Sequence, residues 1–315
     1  MPIIPEPFNN GAKGCKNNMK PLYKYAAIDI GSNAVRLLLA GVSSLYTEKK
    51  PKKISWVRMP IRLGEDAFTR GRISKENIQR FEHTLTGFSH LIRAFNPLGT
   101  MACATSAMRT AQNGPHICRK TEELTGIPIR IIDGKQEADI LFQSFKTDLA
   151  AGDRPCLFID VGGGSTEITL FSKGQVAAAR SFDMGTIRLL NNLAREQVWE
   201  DMHQWLKRHT KGFDKIRAVG SGGNINKLFR LADGKTGKPV SLDKIKQVSR
   251  SLKHLTPDQR ITQFNLRPDR ADVIVPAARI YLRAMEWSGC RKIQVPMRGL
   301  ADGMVNILHA HEQPH

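Results

Sequence analysis

The feature of this sequence that most restricts its fold is a repeated pattern of an apolar run, an aspartate and a turn of small residues. The first copy, AIDIGSN, covers residues 27–33, and the second, FIDVGGG, covers residues 158–164. A second apolar run follows each copy, so each predicts two buried strands joined by a tight turn, the first over residues 22–42. Two similar β-hairpins predict two related halves that face a shared cleft.

Outside these hairpins, the periodicity alternates between helices and short strands. Residues 74–95 predict an amphipathic helix, because their apolar residues recur every three or four positions after the N-cap residue Ser74. Further helices are predicted at 115–125, 135–150, 185–209, 224–231, 242–254, 270–287 and 299–311, and strands at 54–63, 100–105, 128–132, 216–219 and 292–295. This alternation indicates an α/β protein.

Composition excludes several classes of protein. The chain has 315 residues, of which 41% are hydrophobic, so it can bury a core and form about two domains. No apolar stretch approaches the ~20 residues of a membrane span, so we expect a soluble protein without a membrane partner. The five cysteines form no C-x-x-C pair, and the first twenty residues do not resemble a secretory signal. We therefore expect a reduced, cytoplasmic chain.

The net charge is the one extreme value in the composition. Forty-eight Lys and Arg residues against 29 Asp and Glu residues leave a formal charge of +19. A surplus of this size attracts polyanions such as polyphosphate, nucleic acid or anionic lipid, although it is equally compatible with a merely basic surface. Charge alone does not choose among these partners.

Asp29 and Asp160 each end a predicted strand and precede a turn of small residues. Such turns expose successive backbone N–H groups, which bind phosphate oxygens. A carboxylate at the strand end can hold a divalent cation, often through water, because Mg²⁺ gives up its hydration shell reluctantly. One glycine turn alone can be a simple bend between strands, whereas two facing turns could clamp one phosphate chain.

A third turn, Gly220-Ser221-Gly222, leads from a predicted strand into the predicted helix at 224–231. Helix N-termini favour anions because their first N–H groups are free and the helix dipole is positive there. The turn has neither the Walker A spacing nor the G-x-G-x-x-G spacing. It is therefore a third candidate for phosphate binding without a known nucleotide motif.

Eight segments together carry a family resemblance. They are AIDIGSNAVR (27–36), ATSAMRTAQN (104–113), IDGKQEAD (132–139), FIDVGGGSTEI (158–168), MGTIRL (184–189), AVGSGGNINKL (218–228), RPDRADVI (267–274) and GLADG (299–303). In this order the chain resembles the exopolyphosphatase and guanosine pentaphosphate phosphohydrolase family from about residue 24 to residue 305. The match implies a short, two-domain form of that family.

The resemblance implies an actin-like fold of the sugar kinase and Hsp70 superfamily, in which two ribonuclease-H-like domains flank a cleft. It predicts a first domain over residues 22–141, completed by a C-terminal helix at 299–315, and a second domain over residues 142–298. Residues 1–21 are expected to form a mobile extension. The resemblance also allows a homodimer.

Individual roles follow from the same resemblance. It implies that Glu137 is the base that activates water, that Glu167 is the second essential acid and that Arg109 binds phosphate. The implied metal is Mg²⁺, with Mn²⁺ as an alternative, and its implied ligands are Asp29, Asp160 and Glu167. The other implied phosphate-binding residues are Gly31, Ser32, Asn33, Gly162, Gly163, Gly164 and Ser165, and the third turn adds Gly220, Ser221 and Gly222.

Three residues depart from the family pattern. Ala34 stands where serine is usual, and Gln136 and Asp139 replace the common glutamate and arginine around the base. Ala34 removes one hydroxyl group. Asp139 places a negative charge near Glu137, which is expected to raise the pKa of Glu137 or disturb phosphate contacts.

The first functional hypothesis is hydrolysis of the terminal phosphoanhydride of polyphosphate, with release of orthophosphate. The same chemistry would remove the 5′ terminal phosphate of guanosine pentaphosphate. Two other readings are an actin-fold kinase that passes phosphate from ATP to an acceptor, and a polyphosphate or nucleotide sensor without turnover. A nucleic-acid partner is not expected, because the sequence has no recognised nucleic-acid-reading motif.

Overall fold

The computed structural model describes residues 22–43, 51–149, 154–213 and 215–311. The expected mobile extension at 1–21 lies outside these residues. The described chain forms two mixed β-sheets with helices packed against them. The two predicted hairpins lie in different sheets, so the two sequence repeats correspond to two halves of the fold.

The first sheet contains five strands. In chain order they are β1 (Leu22–Ile30), β2 (Val35–Ser43), β3 (Lys52–Met59), β4 (Gly99–Ala104) and β5 (Ile129–Ile131). Their spatial order is β3-β2-β1-β4-β5, with antiparallel pairing among β1, β2 and β3 and parallel pairing of β4 with β1 and β5.

The second sheet repeats this arrangement and adds one strand. Its members are β6 (Cys156–Val161), β7 (Thr166–Ser172), β8 (Gln175–Phe182), β9 (Arg217–Ser221), β10 (Val240–Ser241) and β11 (Lys292–Gln294). Their order is β10-β11-β9-β6-β7-β8, with β6, β7 and β8 antiparallel and β9 parallel to β6 and β11. Two sheets with the same strand pattern confirm the α/β, actin-like fold with two ribonuclease-H-like halves.

Thirteen helices are assigned within the described residues. They are α1 (Leu63–Arg70), α2 (Lys75–Phe95), α3 (Ser106–Thr110), α4 (Gly114–Thr125), α5 (Gly134–Leu149), α6 (Thr186–Leu190), α7 (Glu196–Thr210), α8 (Gly223–Leu231), α9 (Leu242–Lys253), α10 (Pro257–Phe264), α11 (Pro268–Ala271), α12 (Ile274–Trp287) and α13 (Leu300–His311). Ser74 caps α2 as expected, because its side chain accepts a hydrogen bond from the backbone N–H of Asn77. Among the helices described, none has the length and apolar character needed to cross a bilayer.

Three predicted elements differ from the structure. The helix expected at 185–209 is two helices, because Asn192 takes a left-handed backbone conformation and ends α6. The helix expected at 270–287 is interrupted at Asp272, since the ring of Pro276 excludes the helical carbonyl four residues before it. The strand expected at 54–63 ends at Met59, because Pro60 has no N–H to donate to the ladder.

The apolar core has three parts. One lies within the first half and one within the second, and a third lies between the two sheets. This middle core joins β1 and β2 to β6 and β9 through α5 and α13, and α13 packs mainly against α5 and β1. The domain boundary expected at residues 141 and 142 falls inside α5. The division of the chain into domains stays a prediction.

Candidate functional site

Three buried or half-buried carboxylates meet between the two halves. Asp160, near the end of β6, pairs across the hairpin with Glu167 of β7, and Glu137 lies in the first turn of α5. One oxygen from each of these residues lies within 4.8 Å of the others. The exposed fraction is 8% for Glu137 and 2% for Glu167. The structure thus brings together three of the residues that were predicted from the sequence to act in catalysis and metal binding.

The N-terminus of α5 is built to approach the second sheet closely. A Cβ atom on Gly134 would lie 2.6 Å from the Cβ of Ser181, so only glycine allows this approach. Ser181 in turn donates a 2.9 Å hydrogen bond from Oγ to Oε1 of Glu167. The approach of α5 to β8 therefore sets the distance between Glu137 and Glu167.

Gln136, one of the departures from the family pattern, has a structural role at the same helix end. Its backbone N–H donates to Oδ1 of Asp133 at 2.8 Å, and its Oε1 accepts from the backbone N–H of Asp133 at 3.0 Å. This reciprocal pair is a capping arrangement that satisfies free N–H groups at a helix start. The amide therefore replaces the usual glutamate as a cap, and Gln136 itself is exposed.

All three carboxylates have raised pKa values, and burial is the largest cause in each case. Burial raises the pKa of Glu137 well above its usual range, and the charges of Glu167, Asp160 and Asp29 add to this effect, while Arg109 opposes it. Burial, with smaller contributions from Glu167 and Asp29, raises the pKa of Asp160 to about 7. Burial also raises the pKa of Glu167, against hydrogen bonds from Ser165 and Ser181. The three carboxylates therefore favour the binding of either protons or a cation.

The expected effect of Asp139 on Glu137 is not among these contributions. Asp139 is exposed, whereas the acids that raise the pKa of Glu137 are Glu167, Asp160 and Asp29. Water screens an exposed charge, so its influence on a buried neighbour is small. The negative charges that raise the pKa of Glu137 therefore lie on the two hairpins and not on its own helix.

The carboxylates also have the chemistry of a divalent-cation site. Oε2 of Glu137 and Oε2 of Glu167 are both buried and have no hydrogen-bond partner. Buried carboxylate oxygens without partners are costly unless a cation or water satisfies them. Carboxylate oxygens are the ligands that Mg²⁺ and Mn²⁺ prefer, and Mg²⁺ usually keeps several waters. The acidic cluster therefore fits such an ion.

Asp29, the fourth expected acid, has a different partner. Nη1 of Arg36 donates to Oδ2 of Asp29 at 2.5 Å, and both side chains are largely buried. Asp29 is outside the group of carboxylates whose oxygens lie within 4.8 Å of one another. Its role as a metal ligand stays a prediction, and in this structure its charge is neutralised by Arg36.

The two turns that follow Asp29 and Asp160 lie against each other. A Cβ atom on Gly163 would lie 2.8 Å from the Cβ of Ser32, so the second turn approaches the first without a side chain between them. The backbone N–H groups of Ser32, Asn33, Gly163 and Gly164 donate to no acceptor within the described residues. Free amides on adjoining turns form a concave set of donors suited to phosphate oxygens.

The third turn closes the same site from β9. Gly222 has a φ of 103°, a backbone angle that residues with a side chain rarely adopt. A Cβ atom at this position would lie 3.1 Å from Oδ1 of Asp160. Ser221 pairs with Asp160 across β9 and β6, and its side chain favours the charged form of that acid. Asp160 thus lies between the second and third turns.

Arg109, in α3, supplies positive charge at the edge of the site. Its Nη1 donates to the backbone carbonyl of Ile132 at 2.6 Å, just before α5 begins. The charge of Arg109 opposes the rise in the pKa of both Glu137 and Glu167. The arginine is therefore held near the two glutamates by a backbone contact that leaves its other N–H groups for an anion.

The site and fold can be compared with known proteins. A model of the Ppx/GppA phosphatase family matches residues 46–311. The chain belongs to the Ppx/GppA phosphatase family. Its relatives include Exopolyphosphatase 2 of Mycobacterium tuberculosis, which is 27% identical over an alignment 314 residues long that covers 90% of this chain and 98% of the relative.

Solved structures support the fold of this Ppx/GppA family member. The Ppx/GppA family member of Aquifex aeolicus is 24% identical, with a TM-score of 0.75 over 94% of this chain and 100% of that chain. An exopolyphosphatase from Cytophaga hutchinsonii is 21% identical, with a TM-score of 0.80 over 92% and 99% of the two chains. At these identities the likeness establishes the shared fold.

Two residues of the Ppx/GppA site were given no role from the sequence. Arg36 lies seven residues after Asp29, and only the strand register places it opposite that acid. Tyr281 of α12 is fully buried, accepts from the N–H of Val161 at 3.2 Å and donates to the carbonyl of Ser221. It therefore joins the ends of β6 and β9, a role that depends on a helix 60 residues beyond Ser221.

Proposed function

We propose that this phosphatase is an exopolyphosphatase that hydrolyses the terminal phosphoanhydride of inorganic polyphosphate. The observation that carries the proposal is the cluster of Glu137, Asp160 and Glu167 beside two turns with free backbone amides. Such a site can hold a terminal phosphoryl group and place a water molecule next to a buried base. The net charge of +19 further favours a long polyanion over a small neutral substrate.

In this proposal the turns and Arg109 hold the terminal phosphoryl group, and Glu137 acts on water. The carboxylate of Glu137 accepts a proton as the water oxygen bonds to phosphorus, and the bond from phosphorus to the bridging oxygen breaks. The products are orthophosphate and a chain shortened by one phosphate. The raised pKa of Glu137 makes its carboxylate a better proton acceptor than an ordinary glutamate.

Asp160 and Glu167 are the proposed ligands of a divalent cation, with Asp29 as a third candidate. We propose Mg²⁺, with Mn²⁺ as the alternative, because these ions prefer oxygen ligands. When bound, the cation would neutralise negative charge on the phosphoryl oxygens. Its positive charge would also lower the pKa of Glu137, which keeps that residue ionised and able to act as a base.

The proposal is tested by measuring phosphate release from purified protein with Mg²⁺. The substrates are polyphosphates of several lengths, guanosine pentaphosphate and ATP with and without an acceptor, and Glu137→Gln is the inactive control. Faster release from polyphosphate supports the proposal. Preference for pentaphosphate, transfer from ATP to an acceptor, or polyphosphate binding without release would instead indicate the nucleotide hydrolase, the kinase or the sensor.

We also propose that the protein forms a homodimer. Two copies of a basic cleft would hold a long polyphosphate chain more tightly than one, because the second contact is then intramolecular. Sedimentation at several protein concentrations tests this association. A single monomeric species at every concentration would contradict it.

A further inference from the structure

A group of ion pairs joins the two halves beside the phosphate-binding turns. Arg58, at the end of β3, contacts the carboxylate of Asp269 in α11, and Nη1 of Arg62 donates to Oδ2 of Asp272 at 2.7 Å. Nδ2 of Asn33 also donates to the backbone carbonyl of Asp269 at 3.2 Å. We call these five residues the clasp.

The two sides of the clasp are fixed to different halves. On one side, the N–H of Arg62 donates to the carbonyl of Asn33 at 3.2 Å, which ties Arg62 to the first turn. On the other side, the buried Arg260 donates to the carbonyls of Leu252 and Ala271, both at 2.8 Å. Arg260 therefore holds α11 on the second half, so a relative movement of the halves must break the clasp.

The clasp has a backbone feature that its ion pairs explain. Arg62 has a φ of 61° and a ψ of 40°, a left-handed conformation that is unfavourable for residues other than glycine. In this conformation its guanidinium reaches both Asp272 at 2.7 Å and Glu65 at 3.0 Å. The ion pairs offset the backbone cost, and an unfavourable conformation held by tertiary contacts is typical of segments that function by switching.

The clasp is also incompletely satisfied. Three of its polar atoms, Nε of Arg58, Oδ1 of Asn33 and Oδ1 of Asp272, are buried without a hydrogen-bond partner. Separation of the halves would expose these atoms to water, which lowers the cost of breaking the ion pairs. A permanent structural contact is expected to satisfy its buried polar groups, whereas a contact that forms and breaks need not.

We propose that the clasp is a reversible latch that holds the two halves closed over the phosphate-binding turns. Closed, it keeps the turn of Ser32 against the turn of Gly163. Open, it separates the turns and gives a polyanion access to the cleft. The latch is defined by contacts between the halves alone, so it requires neither a particular substrate nor turnover.

The test measures the distance between the halves in the free protein. Spin labels are placed on Gln79→Cys of α2 and Gln263→Cys of α10, two exposed residues on opposite halves, in a Cys15→Ser background. Cys103, Cys118, Cys156 and Cys290 are buried and unbridged, and burial protects them from the label. Pulsed electron paramagnetic resonance then gives the distribution of distances between the two labels.

Arg62→Gln and Asp272→Asn are each expected to increase the population at the longer distance at least about threefold. The double variant is expected to match the single variants, because each one already removes the same contact. The control variants are Lys120→Gln and Glu82→Gln, whose native side chains form a 2.8 Å ion pair within the first half. These substitutions should leave the distance distribution unchanged.

Unchanged distances in both folded clasp variants would overturn the latch. Additive effects in the double variant would also overturn it, because they would show that Arg62 and Asp272 act separately. Circular dichroism checks folding, and if Arg62→Gln does not fold, Asp272→Asn compared with the control pair decides the outcome. Loss of phosphatase activity alone would bear on the proposed function and not on the latch.

Discussion

The two hairpins β1–β2 and β6–β7 share one register but differ in the charge that faces their aspartate. Asp29 lies opposite Arg36, and Asp160 lies opposite Glu167, at equivalent positions of the two repeats. In the first hairpin the ion pair neutralises the acid. In the second, two acids face each other, and burial together with the charge of Glu167 raises the pKa of Asp160 to about 7. The residue opposite each aspartate thus distinguishes a neutralised side of the cleft from a side suited to a cation.

This difference indicates why the acidic cluster is asymmetric. Glu137 comes from the first half, but it joins the acids of the second hairpin, where no arginine occupies the strand position of Arg36. A duplicated fold alone would supply two equivalent sites. The charge opposite each aspartate favours the second hairpin as the place where a cation binds.

The largest expected effect comes from removal of the divalent cation. Exhaustive chelation should abolish phosphate release, because the acids of the second hairpin then repel one another and the anionic substrate. Addition of Mg²⁺ or Mn²⁺ should restore it, as measured by orthophosphate release. Undiminished hydrolysis after chelation would show that the second hairpin needs no cation, and the contrast with the first hairpin would lose its functional meaning.

Glu137→Gln should lower kcat by about 10²–10⁴-fold, the usual cost of losing a general base. The amide keeps the shape of the side chain but cannot accept a proton from water, so polyphosphate binding should remain close to that of the wild type. Steady-state kinetics and equilibrium binding separate the two effects. Glu137 is not the base if the variant keeps more than about a third of the wild-type rate.

The same substitution should have opposite effects on stability in the two hairpins. Because the pKa of Asp160 is raised to about 7 in the folded protein, the folded state holds more protons than the unfolded state between about pH 4 and pH 7. Without metal, this contribution to stability is greatest below that range and is lost as the pH rises through it. Asp160→Asn should therefore stabilise the metal-free protein at pH 8 by roughly 1–4 kcal/mol and flatten the pH dependence.

Asp29→Asn is the matched substitution in the first hairpin. It removes the partner of Arg36 and should destabilise the protein by about 1–2 kcal/mol, between the values of exposed and fully buried ion pairs. Urea unfolding with a chelator at pH 5 and pH 8 measures both variants. If the two substitutions change the free energy of unfolding in the same direction at pH 8, the electrostatic difference between the hairpins is wrong.

The fold could be predicted from the sequence because its signals are local. The apolar runs around Asp29 and Asp160 specify two hairpins, and their repetition indicates the duplicated fold. The element boundaries that failed depend on single backbone positions, such as the left-handed Asn192 and the ring of Pro276. These positions lie within otherwise helical patterns, so periodicity alone does not reveal them.

The site was only partly accessible to the same reasoning. Family resemblance indicated Glu137 and Glu167, but the partner of Asp29 depends on strand register, which a one-residue shift would change completely. The clasp depends on contacts between Arg62 and Asp272, which are far apart in the chain. Such long-range pairings are set by how the halves pack, and a single sequence contains no direct signal for them.

The smallest expected effect is that of Asp139→Asn, which distinguishes the hairpins from the helix as the source of the field at Glu137. Asp139 is exposed, and the charges that raise the pKa of Glu137 are those of Glu167, Asp160 and Asp29. Removing the charge of Asp139 should therefore change kcat less than about twofold, since water and salt screen it. The pH dependence of kcat/KM should also stay in place, whereas Asp160→Asn should shift it. A shift with Asp139→Asn as large as that with Asp160→Asn would mean that α5 itself sets the protonation of the base, and the departure from the family pattern would then be a functional one.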